Sequence, residues 1–238
     1  MLLESDENGA TLNAIEKENI DILFLLPSAL SKISINSLNK RRNEYCRWAE
    51  AKPNRYIIED DYNGELRYTA RTVSSFQGRY SDKTVYIGSF SKLLLPSVRI
   101  AYMVLPETLK EILDGKTYGI NQTCGKIEQL ALAEYILKGY LEKHLRKLRK
   151  IYYNKSRTLM KGLKENFKEA KIVLYESSLA VVLKTDLPFE SSDLCAKAEN
   201  FGIRIEESEN RGEVKLFFAF IDESDIAEAS ILLSKILK

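Results

Sequence analysis

The sequence predicts an α/β protein with a mostly parallel sheet, followed by a small α+β domain at the C-terminal end. Three observations carry this expectation. Short apolar runs alternate with helical stretches through the first half, as in layered α/β architectures. Ile57 and Ile58 form an apolar run without polar alternation, as in a parallel strand covered on both faces. Beyond a long stretch nearly free of helix breakers, the chain turns to short β-rich runs flanked by helices.

In order, residues 22–26 read as a first strand, 39–51 as a helix and 55–58 as a second strand. Residues 84–87 and 99–104 make a strand pair on either side of a polar turn. Residues 126–168 read as helical, interrupted only by Gly139 and Gly162. Residues 171–174, 179–183, 202–205 and 214–220 are expected as short strands, with helices at 191–200 and 223–237 covering one face. The division expected is a large domain over residues 1–125, then a long linking helix and small domain over 126–238.

Composition sets bounds on function. At 238 residues, with 45% apolar and 29% charged residues, the chain has the make-up of a globular protein able to bury a core. A net charge of +2 gives no global pull toward nucleic acid. The basic stretch from Lys143 to Lys150 carries Leu141, Leu145 and Leu148 at helical spacing, so its charges read as the wet face of an amphipathic helix. Cys46, Cys124 and Cys195 are odd in number, widely spaced and without metal-ligand pattern, which fits reduced thiols in the cytoplasm. No metal, membrane or nucleic-acid partner is expected of this chain. His144 is the only histidine and lies in the basic helix, so Tyr, Lys and carboxylates must carry any catalysis.

The most informative stretch is Ile87-Gly-Ser-Phe-Ser-Lys-Leu-Leu-Leu95, with Arg99 just beyond. It sets Lys92 at the end of an apolar run, beside the hydroxyls of Ser89 and Ser91. A lysine that forms an imine with a phosphorylated aldehyde needs such surroundings: an amine for covalent chemistry, hydroxyls that donate to phosphate and a cation that neutralises it. The bland reading is a strand ending in a polar turn, with Arg99 bracing the strand end in an ion pair.

Upstream, Arg55-Tyr-Ile-Ile-Glu-Asp-Asp-Tyr62 ends an apolar run in three acids and a tyrosine. Carboxylates at the carboxyl end of a parallel strand sit where open α/β sheets bind ligands. For Glu59 and Asp61 a solvated acidic turn is the competing expectation. Asp60 has a sharper use, since a carboxylate facing a pyridine nitrogen keeps it protonated, and Tyr62 is expected to point the same way along the strand. An aspartate partner to a pyridinium, together with a Schiff-base lysine, is what pyridoxal phosphate chemistry demands.

The runs Ile58-Glu-Asp-Asp-Tyr-Asn-Gly-Glu-Leu-Arg-Tyr68 and residues 84–106 resemble the aminotransferase domain of MocR/GabR-type proteins, members of the fold type I pyridoxal-phosphate superfamily. The resemblance continues through residues 129–135 and 139–149, Pro27-Ser28, and the helix around Arg41, Arg42 and Trp48. It implies part of a fold type I large domain with a small domain after it. By resemblance, Lys92 is the lysine bonded to pyridoxal 5'-phosphate, Asp60 the pyridinium partner and Tyr62 the contact to the ring hydroxyl. Ser89 and Arg99 match phosphate ligands, with Ser91 beside them. An amino acid or amine would be the substrate or effector, and a homodimer the assembly.

Departures accompany the match. The His-Gln pair usual after Pro-Ser is replaced by Ala29-Leu30, and a glycine-leucine-histidine segment reads Ser178-Leu179-Ala180. Where related enzymes place a carboxylate-gripping arginine, this chain has Lys215, with Arg211 a nearby rival. Lysine supplies charge for a substrate carboxylate without the bidentate fork. Residues 1–13 resemble a segment midway through the family's large domain, so the DNA-binding module and phosphate-cupping helix start would lie outside this chain, whether it is an excised fragment or a degraded gene product. Three functions therefore compete: a transaminase working through Lys92, the effector-sensing domain of a MocR/GabR-type regulator, and a remnant that binds cofactor poorly.

Overall fold

The computed structural model describes residues 1–6, 9–27, 35–69, 75–116, 124–175, 178–185, 191–205 and 212–236. The chain forms two compact units, one of residues 1–66 with 71–145 and one of residues 67–70 with 146–238.

The first unit opens with a two-stranded hairpin, β1 (Ser5–Asp6) and β2 (Gly9–Ala10), then the short helix α1 (Leu12–Lys17) capped by the Thr11 side chain. A four-stranded sheet follows from β3 (Ile22–Leu25), β4 (Tyr56–Asp60), β5 (Thr84–Ser89) and β6 (Ala101–Val104), hydrogen-bonded in that order. β3, β4 and β5 run parallel, and β6 returns antiparallel to β5. Between β3 and β4 lies α2 (Ile35–Glu50), a crossover helix whose Tyr45, Cys46, Trp48 and Ala49 pack on Leu23, Leu25 and Ile57. Burial pushes the Cys46 thiol up to about 12, so it is an inert core group at neutral pH. α3 (Glu107–Lys116) starts just after Pro106, whose carbonyl accepts from the Leu109 and Lys110 amides.

The expectation that helices cover both faces of this sheet does not hold among the described residues. Ile57 is fully buried, but its neighbour Ile58 is only half-buried, and β3 alternates strictly, leaving Ile22 and Phe24 57% and 53% exposed. Among the described residues the face toward α2 is the better covered, while on the other face Val85 is buried but Phe24 and Met103 are exposed.

The helical region expected over residues 126–168 is two helices, α4 (Lys126–Leu137) and α5 (Tyr140–Asn166). Gly139 separates them with φ of +72°, a left-handed conformation that ends α4 and that a side chain resists. α5 begins in the first unit and runs on into the second. Lys143, Arg146, Lys147 and Lys150 lie exposed on it while Leu145 is buried, so the basic stretch is a wet helix face.

The second unit is an antiparallel sheet of β7 (Lys171–Tyr175), β8 (Ala180–Lys184) and β9 (Glu213–Phe217), with β8 central. Helices α6 (Ser191–Glu199) and α7 (Glu223–Ile236) complete it. Its core joins Leu159 and Leu163 of α5 with Val181, Leu183, Leu194, Ala198, Val214, Ile226 and Leu233. The strand expected over residues 202–205 is absent. Gly202 instead closes α6 in a left-handed turn, with the Ile203 amide donating back to Ala198, although Ile205 still buries its side chain. Among the described residues no helix is long and apolar enough to cross a membrane.

Candidate functional site

Two turns at the carboxyl ends of neighbouring parallel strands build the site. β4 ends at Asp60, which stands opposite Ile87 of β5. Side chains alternate along a strand, so Asp60, Ile87 and Ser89 share one sheet face while Glu59 and Tyr86 share the other. The register therefore brings the carboxylate of Asp60 and the hydroxyl of Ser89 to the same face.

The chain past Ser89 is tied into a compact turn. The Phe90 amide donates to the Ile100 carbonyl at 2.9 Å, and the Phe90 carbonyl accepts from both Leu93 and Leu94 at 3.1 and 3.0 Å. The Ser91 amide donates to Ser89 Oγ at 3.2 Å, so that hydroxyl also shapes the turn. Leu93 drives its side chain into the interior, 3% exposed, and its carbonyl lies 2.9 Å from Nε2 of His144 on α5. Lys92, between these anchors, stays accessible to solvent.

Nζ of Lys92 sits 4.5 Å from the centroid of the Tyr62 ring. Partial burial of the amine lowers its pKa from the ordinary 10.5, and among the described residues no carboxylate pairs with it. Tyr62 does not reach this position by strand alternation, because β4 stops at Asp60. The turn through Asn63 and the short 3-10 stretch Gly64–Leu66 carries its ring beneath Lys92.

Arg99 follows the 3-10 turn Pro96–Val98 in a left-handed conformation with φ of +47°, uncommon for a residue with a side chain. A purely structural corner there would favour glycine. The competing reading, an ion pair bracing the strand end, finds no carboxylate partner for Arg99 among the described residues.

The solvated acidic turn that competes as an expectation for Glu59 and Asp61 does not hold for Glu59. It is 1% exposed, ion-paired with Arg42 of α2 at 3.6 Å, and accepts from the Gln77 amide at 3.2 Å. Burial still raises its pKa, the hydrogen bonds and Arg42 opposing. Arg42 in turn lies 3.9 Å over the Phe76 ring. Asp61 points to the opposite side from Asp60. Its carboxylate packs where a side chain on Gly64 would stand, and its charge adds to the burial that raises the Tyr86 pKa.

Lys215 belongs to the second unit, mid-way along β9, with Nζ 4.9 Å above the Phe217 ring. Ala180 is fully buried in β8. Ser28, Ala29, Leu30 and Arg211 lie outside the described residues. Asp60, Tyr62, Ser89, Ser91, Lys92 and Arg99 thus all lie in the first unit, on the two strand ends and their turns. Sequence reasoning missed the Glu59–Arg42 pair and the His144 contact. The signals available were three acids in a row and a lone histidine, and neither names its partner.

The donor set suits a phosphorylated aldehyde with a pyridine ring. It offers an accessible amine of lowered basicity over a phenol, a carboxylate at a strand end and an arginine without a counter-ion among the described residues.

No family model matches the chain. It is 34% identical over 232 residues, 94% of its own length and 50% of the relative, to the uncharacterized HTH-type transcriptional regulator YdeL of Bacillus subtilis. It is 27% identical over 184 residues, 77% of this chain and 40% of the relative, to the HTH-type pyridoxine biosynthesis transcriptional regulator PdxR of Corynebacterium glutamicum. The chain spans about half the length of the curated regulators it matches. Among solved structures, the kynurenine aminotransferase of Pyrococcus horikoshii, crystallised with PMP, superposes with a TM-score of 0.74 at 21% identity, covering all of this chain and 63% of that one.

Proposed function

We infer function from two premises: this chain has the fold of the fold type I pyridoxal-phosphate-dependent aminotransferases, and its homologues are both MocR/GabR-type regulators and aminotransferases. We propose that it is an aminotransferase-like domain that would hold pyridoxal 5'-phosphate on Lys92 and pass its aldehyde carbon from the lysine nitrogen to that of an amino acid or amine, freeing the lysine amine. Bound, that cofactor supplies an aldehyde carbon for an amine to condense with and a ring that draws electrons from the adjoining carbon.

The observation that carries this reading is the accessible Lys92 amine above Tyr62, lowered in pKa and without an acidic partner among the described residues. A lysine held less basic than usual has more of the neutral amine that attacks a carbonyl. Asp60 would hold the ring nitrogen protonated, Tyr62 would donate to the ring hydroxyl, and Ser89, Ser91 and Arg99 would grip the phosphate. The Lys92 amine would move a proton at the substrate α-carbon. Lys215 is proposed as the carboxylate contact, with residues 1–125 as the partial large domain and 126–238 as linking helix and small domain. We propose a cytoplasmic homodimer as the working form.

A second reading, the effector-sensing domain of a regulator, is favoured by the HTH-type relatives. Both predict that protein mixed with pyridoxal phosphate develops a visible absorbance band that Lys92→Ala abolishes. Repeated turnover of an amino acid supports the enzyme, and a single stoichiometric exchange supports the sensor. A band of equal strength in Lys92→Ala overturns the assignment, and no band in either is the behaviour of a remnant.

A further inference from the structure

Resting on that reading of Lys92, we propose that His144 is a positioning residue for it, holding the lysine-bearing turn from α5 through the Leu93 carbonyl. His144 is the only histidine in the chain and has no part in the chemistry assigned above. Its Nε2 lies 2.9 Å from the Leu93 oxygen. A carbonyl oxygen only accepts, so Nε2 carries the hydrogen of this bond.

The geometry gives this bond a specific task. Leu93 is 3% exposed, so its carbonyl is a buried acceptor that needs a partner. Three backbone donors of the turn are already committed: Ser91 to Ser89 Oγ, and Leu93 and Leu94 to the Phe90 carbonyl. Those bonds close the turn upon itself, and the Phe90 amide ties its start to the Ile100 carbonyl just before β6. The imidazole adds a hydrogen bond made 51 residues along the chain, and it lands on the Leu93–Leu94 peptide, one residue beyond Lys92. Nearby, Leu145 is 7% exposed, so the helix that presents His144 is itself anchored by burial. Small errors in the placement of a reacting amine cost rate steeply. A fixed peptide on the far side of Lys92 keeps Nζ over the Tyr62 ring.

Two substitutions separate hydrogen bonding from bulk. His144→Gln keeps an N–H donor on a side chain of comparable reach, and His144→Phe keeps a ring without the donor. The first measurement is the rate at which the cofactor-free chain captures pyridoxal phosphate, read by absorbance and by borohydride fixation on Lys92. Capture joins the lysine nitrogen to the aldehyde carbon and releases water. His144→Phe is expected to slow capture about tenfold, the value of one net hydrogen bond, with His144→Gln within about twofold of wild type. Leu132→Ala, a buried change on α4, serves as a control for general destabilisation and should leave the rate unchanged.

The second measurement needs no cofactor. Backbone amide exchange at Leu93 and Leu94, whose amides are bonded to the Phe90 carbonyl, should rise about tenfold in His144→Phe and stay near wild type in His144→Gln. Equal capture and exchange in all variants overturns the proposal, as does a His144→Gln protein as impaired as His144→Phe. A wild type that captures no cofactor overturns the reading of Lys92 instead, and the exchange result then decides whether His144 holds the turn.

Discussion

Glu59 shows how a single residue can be legible in kind and misread in place. Three acids in a row look like a wet turn, yet strand register forces the first inward, where Arg42 from the crossover helix meets it. Removing one partner of a buried pair strands the other charge, so Arg42→Ala should cost about 3 kcal/mol of stability by denaturant unfolding. The loss should shrink as pH falls toward the ordinary 4.5 of a glutamate, because protonating Glu59 removes the uncompensated charge. A loss independent of pH would contradict the pairing. Asp60 and Asp61 make the complementary test, since they occupy opposite faces. Asp60→Ala should suppress proton exchange at a substrate α-carbon more than cofactor capture, and Asp61→Ala should affect that exchange little. Lys92 predicts a pH profile: with its pKa lowered by partial burial, the capture rate should level off below pH 10.5. A rate still climbing through that pH would show an ordinary lysine. Residue types and spacings made Asp60, Tyr62, Lys92 and Arg99 readable in advance. The partners Arg42 and His144 were not, because they are brought by folding from α2 and α5.

At the scale of elements, apolar periodicity revealed the strands and long helices, and local backbone conformation decided where they stop. Gly139 was visible as a lone breaker, but only its left-handed φ turns one expected helix into two. Gly139→Ala meets no heavy atom within 4 Å, so its cost is purely that of the backbone, about 1 kcal/mol by thermal or chemical unfolding. Gly88 is a contrasting case of close approach. A side chain there would stand 2.3 Å from the Tyr102 ring, which packs against Tyr86 and Phe90. Gly88→Ala should therefore destabilise by about 2 kcal/mol through overpacking and displace the Tyr102 ring of β6 from the strand that precedes Lys92. An unchanged melting temperature would mean that the β5–β6 pair yields more easily than its contacts suggest. The strand expected at residues 202–205 failed for a local reason, as the apolar Ile203 and Ile205 follow a glycine that closes α6.

For the whole molecule, alternating strands and helices were enough to expect an α/β unit followed by a small α+β unit, though not that its sheet is antiparallel. They could not tell that one face of the first sheet stays largely uncovered among the described residues. Phe24 at 53% and Met103 at 55% exposure mark that face, and Ile127, Leu130 and Leu137 lie exposed on α4. Apolar surface of this extent recruits partners. Light scattering at low micromolar concentration should accordingly report a dimer, and a strict monomer would count against the assembly proposed. The central claim is chemical and rests on one nitrogen. Its most direct test is to mix the chain with pyridoxal phosphate, reduce with borohydride, digest, and locate the modified lysine by mass spectrometry. The account predicts a single stoichiometric adduct on Lys92; modification scattered over other lysines, with Lys92 left free, would contradict it.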